Sequence, residues 1–133
     1  MPRTAIALVL TAFLFCACAQ EPSVIPEDVE RAWQQYREEP NVNTYTGFIH
    51  ANRKAAMAHP YTDDAQGVMH QVLSLEAQSE HAERTQDLRL ADAVLVRVDE
   101  IREGGVIDNY EEVFPGAKER LLAARARVEG MLQ

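Results

Sequence analysis

The stretch LRLADAVLVRV, residues 88–98, decides between an all-α fold and a mixed one. Read as a strand, it is rich in Leu and Val, but Asp92 breaks the alternation and no partner strand is evident. Read as a helix, its apolar residues recur at intervals of three and four, as on one buried face: Leu88, Ala91, Val94, Leu95 and Val98, followed by Ile101. We therefore predict a helix here and an all-α fold.

Proline and glycine divide the rest of the chain into further helical segments. Pro26 suits the first turn of one helix, and Asn41 or Asn43 can cap the next. Predicted helix ends lie at Pro40, Pro60, Gly104–Gly105 and Pro115–Gly116. The expected buried stripes are Val29, Trp33 and Tyr36; Tyr45, Phe48, Ile49, Asn52 and Ala56; Val68, Val72 and Leu75; and Leu121, Ala124, Val128 and Met131. These patterns predict a bundle of four to five helices with short loops over residues 26–133.

Residues 63–103 pose the main question of architecture, because they form either one helix or two. A single helix of this length would extend about 60 Å, whereas a compact domain of this size has a radius of gyration of about 13 Å. We therefore expect a break or kink between Glu83 and Asp87, although neither Gly nor Pro marks one there, or else a protruding hairpin.

Two local features complete the predicted architecture. Asp108 and Glu111 resemble a capping box, which predicts the start of a short turn before Pro115. Gly47 lies inside the second predicted helix, where glycine costs about 1 kcal/mol relative to alanine. We interpret Gly47 as a place where two helices come into close contact.

The N-terminal stretch LTAFLFCACAQEP, residues 10–22, holds both cysteines of the chain. Arg3 and the apolar run that follows have the organisation of a signal peptide, and the run is too short for a membrane span. Leu14-Phe15-Cys16-Ala17-Cys18 resembles the lipobox of bacterial lipoproteins, with Phe15 in place of the usual Leu. The resemblance implies a signal peptide over residues 1–17, lipidation of Cys18, and a short tether over residues 18–25.

A second cleavage site is compatible with the same residues. Ala17-Cys18-Ala19 fits ordinary signal peptidase, which would cleave before Gln20 and release a soluble secreted helical protein. The polar residues that follow resemble a lipoprotein tether and favour lipidation. By resemblance to enterobacterial sorting, Ala19 in place of Asp implies the outer membrane of a bacterial cell envelope, with the domain facing the periplasm. The lipid bilayer is then a partner, through the acyl anchor on Cys18.

Charge and motif content narrow the function classes. The net charge of −8 disfavours nucleic acid, whose phosphates require Lys and Arg. The chain has no CxxCH, HExxH, GxSxG or Walker A sequence. We therefore expect no enzymatic activity and predict no catalytic, cofactor-binding or metal-ligating residue. The leading hypothesis is a small membrane-anchored periplasmic lipoprotein that binds another protein through a helical face, as an adaptor, chaperone or immunity protein would.

Methionine and histidine pairs provide the alternative hypothesis. Met57-Ala58-His59 and Met69-His70 flank the turn at Pro60, and thioether and imidazole together suit copper or b-type haem. A periplasmic metal or haem carrier would use these pairs. The simpler interpretation places Met57 and Met69 in the core.

Two charged segments have structural interpretations. Glu76, Glu80, Glu83 and Asp87 form a row at helical spacing without the Glu-x-x-His motif of ferritin-like iron sites, and we interpret the row as a solvated face. The segment from Val113 onward is the only basic part of the predicted mature chain, residues 18–133. We expect its helix to dock against the acidic middle helices.

Overall fold

The computed structural model describes residues 25–58 and 65–133, and within these ranges the chain forms six helices and no strand. The helices are α1 (Glu27–Glu38), α2 (Val42–Ala56), α3 (Ala65–Thr85), α4 (Leu88–Glu103), α5 (Ile107–Val113) and α6 (Ala117–Leu132). The all-α prediction is confirmed. The described ranges contain six helices, one more than the four to five predicted. The additional helix is α5, which forms at the predicted short turn and buries Ile107 and Tyr110.

The expected break in residues 63–103 is confirmed, and it needs neither Gly nor Pro. Gln86 adopts a left-handed conformation with φ of 54°. Asp87 then caps α4, because its side chain accepts a hydrogen bond from the Leu90 N–H at 3.1 Å. Helices α3 and α4 therefore form a hairpin with a two-residue connection, Gln86 and Asp87.

Helix α3 lies at the centre of the bundle and is buried on two sides. It packs against α2, α4, α5 and α6. One side joins an aromatic core: Val29, Trp33, Tyr36, Phe48, Met69, Leu73 and Ala77. The other side joins an aliphatic core that includes Val68, Val72, Leu75, Ala91, Val94, Val98, Ile101, Leu121 and Val128. The predicted stripe on α3 accounts for the aliphatic side, whereas the aromatic side uses a second stripe of the same helix.

Contacts between the helices give their directions. Helix α2 runs antiparallel to α3, because Asn52 contacts His70 while Tyr45 contacts His81. Helix α6 runs parallel to α3. Arg120 pairs with Glu76, and the later residue Arg127 bonds to the later residue Ser79, so the contacts advance in the same direction along both helices. Helix α1, which forms a hairpin with α2, is also parallel to α3.

These directions define two ends of the bundle. One end contains Ile25, the C-terminus of α2 and the turn at Gly104–Gly105, and we call it the tether end after the tether predicted to precede Ile25. The far end contains the start of α2 at Val42, the α3–α4 turn and the C-terminus of α6. Within the described ranges, no helix combines the length and apolar character that a membrane span requires.

Several local predictions are confirmed by the backbone. Asn41 caps α2 through a capping box with Thr44, in which each side chain accepts a hydrogen bond from the other residue's backbone N–H. Helix α4 ends at Glu103, directly before the glycine pair. Gly116 has a φ of 92° and precedes α6, as the predicted breaker requires.

Three local predictions are wrong. Leu88 is 54% exposed, because it is the first residue of α4 and lies beyond the packed part of the stripe. Gly47 is exposed, and a Cβ at this position would meet nothing within 4 Å, so no helix approaches it. Glu111 does not open a capping box with Asp108. Instead its carboxylate accepts hydrogen bonds from the backbone N–H groups of Gly116 and Lys118, at the start of α6.

Candidate functional site

An open groove of about 390 Å³ runs between α2, α3 and α4. Its floor is α3, and its walls come from α2 and α4. The residues that line it are Ile49, Asn52, Arg53, Ala56, Gly67, His70, Gln71, Ser74, Leu75, Gln78 and Arg97. Its volume lies within the range of small-molecule sites, which is about 300–1,000 Å³.

A buried polar pair forms part of the groove. Asn52 donates a hydrogen bond to the His70 backbone carbonyl at 2.8 Å, and its side-chain oxygen lies 2.6 Å from Nδ1 of the His70 ring. Both side chains are almost completely buried. Because these bonds hold α2 against α3 at a fixed register, they set the width of the groove. Asn52 is thus a polar residue on an otherwise apolar stripe because it has a partner on α3.

The charged groups that line the groove are arginines. Arg53 lies on the α2 wall and Arg97 on the α4 wall, and no Asp or Glu is among the lining residues within the described ranges. Gln71 connects the α4 wall to α5: with its oxygen towards Arg97, its side-chain amide accepts from the guanidinium and donates to the Tyr110 hydroxyl at 2.7 Å. The groove is therefore rich in hydrogen-bond donors, in a chain whose net charge is −8.

Glu76 and Glu80 are not part of a solvated face, so that interpretation of the carboxylate row is wrong for them. Their side chains are only 14% and 15% exposed. Arg37 of α1 donates to both carboxylates at 2.7 Å, and Arg120 of α6 lies 3.3 Å from Glu76. These two carboxylates therefore join α1, α3 and α6.

The other two members of the row have different roles. Glu83 is 57% exposed and lies 3.9 Å from Arg127, so it is the member that fits a solvated position. Asp87 caps α4 through its side chain. Because the arginines neutralise the more buried members, the row has a structural role.

Tyr36 extends this network into the aromatic core. Its hydroxyl donates to Glu80 at 2.6 Å and accepts from Arg84 at 3.0 Å. Burial, followed by the hydrogen bond to Glu80, raises the pKa of Tyr36 to about 12. The phenol therefore serves as a buried neutral donor, and its ring stacks 6.2 Å from Phe48.

His81 stacks on Tyr45 at the edge of the aromatic core. The ring centroids are 3.8 Å apart and the planes differ by 6°. Burial, with the nearby positive charge of Arg84, lowers the pKa of His81, while Asp87 acts in the opposite direction. The stacked, neutral imidazole therefore contributes to packing between α2 and α3.

The structure places the two methionines of the alternative metal or haem hypothesis in different environments. Met57 follows α2 and is 79% exposed, whereas Met69 is 1% exposed and belongs to the aromatic core. His70 is buried beside Asn52, and His59 lies outside the described residues. The prediction that both methionines fill the core is correct for Met69 and wrong for Met57. The described ranges contain no group of three or more His, Cys, Asp or Glu side chains arranged to hold a metal ion.

The basic C-terminal helix docks as its charge predicted. Arg125 donates to Asp99 of α4 at 2.6 Å and to Glu129 at 2.6 Å. Arg127 donates to Ser79 of α3 at 2.8 Å. The arginines of α6 therefore face the two acidic helices that form the α3–α4 hairpin.

The predicted lipidation site, Cys18, lies outside the described residues, as do the predicted signal peptide and the predicted tether as far as residue 24. Only some of the residues that line the groove had a signal in the sequence. Asn52 had a signal, namely a polar side chain on a buried stripe. Arg53, Gln71 and Arg97 had none, because arginine and glutamine on helix surfaces are common and only the packing of three helices brings these together.

Comparison with known proteins adds no relative. No protein-family model, no curated protein and no solved structure matches this chain.

Proposed function

We propose that this chain is a small lipid-anchored protein of the bacterial cell envelope whose helical domain binds another protein without catalysing a reaction. The lipobox-like segment that ends at Cys18 supports the anchor. Ala19 in place of Asp after Cys18 favours the outer membrane, by resemblance to enterobacterial sorting, with the domain facing the periplasm. Two or more acyl chains give stable membrane attachment, whereas a single chain gives only marginal binding.

The observation that carries the proposal is the orientation of the bundle, with one end next to the tether and the other end away from it. Ile25, where the tether enters the domain, packs against the aromatic core and lies at the tether end. A tether of about 7 residues reaches at most about 25 Å. The tether end therefore faces the bilayer, and the far end faces away from it.

We place the proposed binding surface at the far end. Val42, Leu88 and Leu132 are apolar side chains exposed there, at the ends of three different helices. Scattered exposed apolar residues are ordinary on a protein surface, but a protein interface needs such residues near its centre. The charged network joins α1, α3 and α6, and short connections tie the start of α2 to α1 and the start of α4 to α3. The three helix ends therefore hold fixed relative positions, which lowers the entropic cost of association.

The anchor is tested by fractionation and by mass. Cys18→Ser removes the acyl acceptor and is expected to move the protein from the membrane fraction to the soluble fraction. The intact mass of the wild-type protein extracted from membranes is expected to show acylated Cys18. The mass of an unmodified chain whose first residue is Gln20 would instead support the soluble secreted protein. Unchanged membrane association of Cys18→Ser would refute the anchor.

The binding surface is tested in cells with a photo-crosslinking amino acid. At Leu88 on the far end, it is expected to give one reproducible crosslinked protein. The same amino acid at Val106, an exposed position at the tether end, is the matched control. Leu88→Arg should reduce co-purification of the crosslinked protein, because a charge then lies where an apolar contact forms. Equal crosslinking from both positions, or none from Leu88, would contradict the proposed surface.

A further inference from the structure

We propose that the groove between α2, α3 and α4 is a binding site for a small organic carboxylate. This inference goes beyond the proposed function, because the groove lies along the side of the bundle and does not use the exposed apolar residues of the far end. It rests on the charge, the donors and the size of the groove.

The charge of the groove selects for anions. Arg53 and Arg97 supply one guanidinium on each wall. Arg53 forms no ion pair with any residue of the described ranges, and Arg97 pairs with Glu100 at 3.0 Å. The Arg97–Glu100 pair is exposed, and such pairs contribute little stability. A ligand carboxylate can therefore replace Glu100 on Nη1 of Arg97 at small cost, while Gln71 holds Nε and Nη2 of the same guanidinium in place. Arg53 can bind the carboxylate with two parallel hydrogen bonds.

The floor supplies further polar groups at fixed positions. Ser74 and Gln78 add a hydroxyl and an amide along α3. The bonds between Asn52 and His70 are made within the protein, so these two side chains hold the floor rigid. A pre-formed arrangement of this kind lowers the entropic cost of ordering the site on binding.

The apolar part of the groove fits a short hydrocarbon body. Ile49, Ala56 and Leu75 line it together with the polar residues. A volume of about 390 Å³ accommodates a molecule with a carboxylate head and a few carbon atoms. The combination of two arginines with three aliphatic side chains favours such an acid over an inorganic anion or a neutral alcohol.

The test is isothermal titration calorimetry of the mature protein in lipid nanodiscs, with empty nanodiscs as the blank. The probes are hexanoate and glutarate, with hexanol as the neutral analogue and inorganic phosphate as the anion without an apolar body. We expect binding of at least one carboxylate, and binding about tenfold weaker in Arg53→Gln and in Arg97→Gln, because each loses a charge-assisted hydrogen bond. Arg31→Gln, on the exposed surface of α1, is the matched control and should bind as the wild type does.

A second kind of variant tests whether the volume of the groove is needed for binding, whereas the arginine variants test its charge. Ala56→Phe places a ring in the groove from the last turn of α2, a position that is only partly buried, and should abolish binding while circular dichroism shows an unchanged helical content. Hexanol or phosphate that bound as tightly as the carboxylates would overturn the assignment. So would the absence of binding by both carboxylates, or equal weakening by Arg31→Gln and Arg53→Gln.

Discussion

The hydroxyl of Tyr36 provides the sharpest test of how the charged network holds the bundle together. Tyr36→Phe removes the bond to Glu80 at 2.6 Å and the bond from Arg84 at 3.0 Å, but keeps the ring in the aromatic core. A hydrogen bond to a charged group contributes about 1.5–3 kcal/mol. Glu80 retains Arg37 and is 15% exposed to water, so we expect a loss near the lower limit, about 1.5 kcal/mol at pH 8.

The pH dependence of this difference has a defined sign. Folding raises the pKa of Tyr36 from 10.0 to about 12, so the unfolded chain loses the phenolic proton first as the pH rises. The stabilisation is complete below pH 10 and is lost between pH 10 and about pH 12. One pKa unit corresponds to about 1.36 kcal/mol, so the wild type loses at most about 1.4 kcal/mol by pH 11, and less to the extent that solvent screens Glu80 and Arg84. The Tyr36→Phe variant has no phenol to titrate and no such loss, so the two free energies of unfolding should converge.

The assay is urea unfolding of the mature protein in a mild detergent, at pH 8 and at pH 11. Circular dichroism at about 222 nm reports the helices, and the fluorescence of Trp33, the single tryptophan of the chain, reports the aromatic core. Tyr110→Phe is the matched control, because its hydroxyl bonds to the neutral Gln71. It should cost about 1 kcal/mol at pH 8. A difference between wild type and Tyr36→Phe that stayed constant from pH 8 to pH 11 would refute the raised pKa of the buried Tyr36 hydroxyl.

Two further predictions concern single positions on α2 and α3. Gly47→Ala should raise the free energy of unfolding by about 0.5–1 kcal/mol, because a Cβ there meets nothing and alanine restricts the unfolded chain; a lower thermal midpoint would contradict this. Folding lowers the pKa of His81, so the unfolded chain takes up a proton first as the pH falls below about 6.5, and the protein should lose stability from pH 7.5 to pH 5.5. His81→Phe keeps the stacking on Tyr45 and should reduce this loss, whereas the exposed control His50→Gln should not; equal acid sensitivity in all three proteins would show that His81 is not the cause.

Helix positions were predictable because their signals are local. The spacing of apolar residues at three and four positions acts within one or two turns of helix. The signals that start or end a helix act over a few residues, as at Asn41, the pair Gly104–Gly105 and Gly116. The break at Gln86 was predicted from the length of the helix and not from any residue, since its left-handed backbone has no Gly or Pro to announce it. The second buried stripe of α3 was missed because a helix covered on both sides has no clear polar face.

The charged residues were harder to interpret than the apolar ones. A row of carboxylates on one helix is usually solvated, and nothing near Glu76 or Glu80 in the sequence indicates otherwise. Their partner Arg37 lies 39 and 43 residues earlier in the chain. Whether a carboxylate is exposed or paired depends on which helix packs beside it, and that information is not local.

By itself, the sequence determined the helices, their ends, most of the apolar stripes and the attraction between the basic last helix and the acidic middle of the chain. Each of these follows from backbone preference, hydrophobic periodicity or net charge, which act over a few residues or over a whole segment. Only the tertiary structure decided that α3 is buried on two sides, that Arg37 and Arg120 meet on Glu76, and that Arg53 and Arg97 line one groove. The physical reason is that side chains distant in sequence become neighbours only through the packing of whole helices.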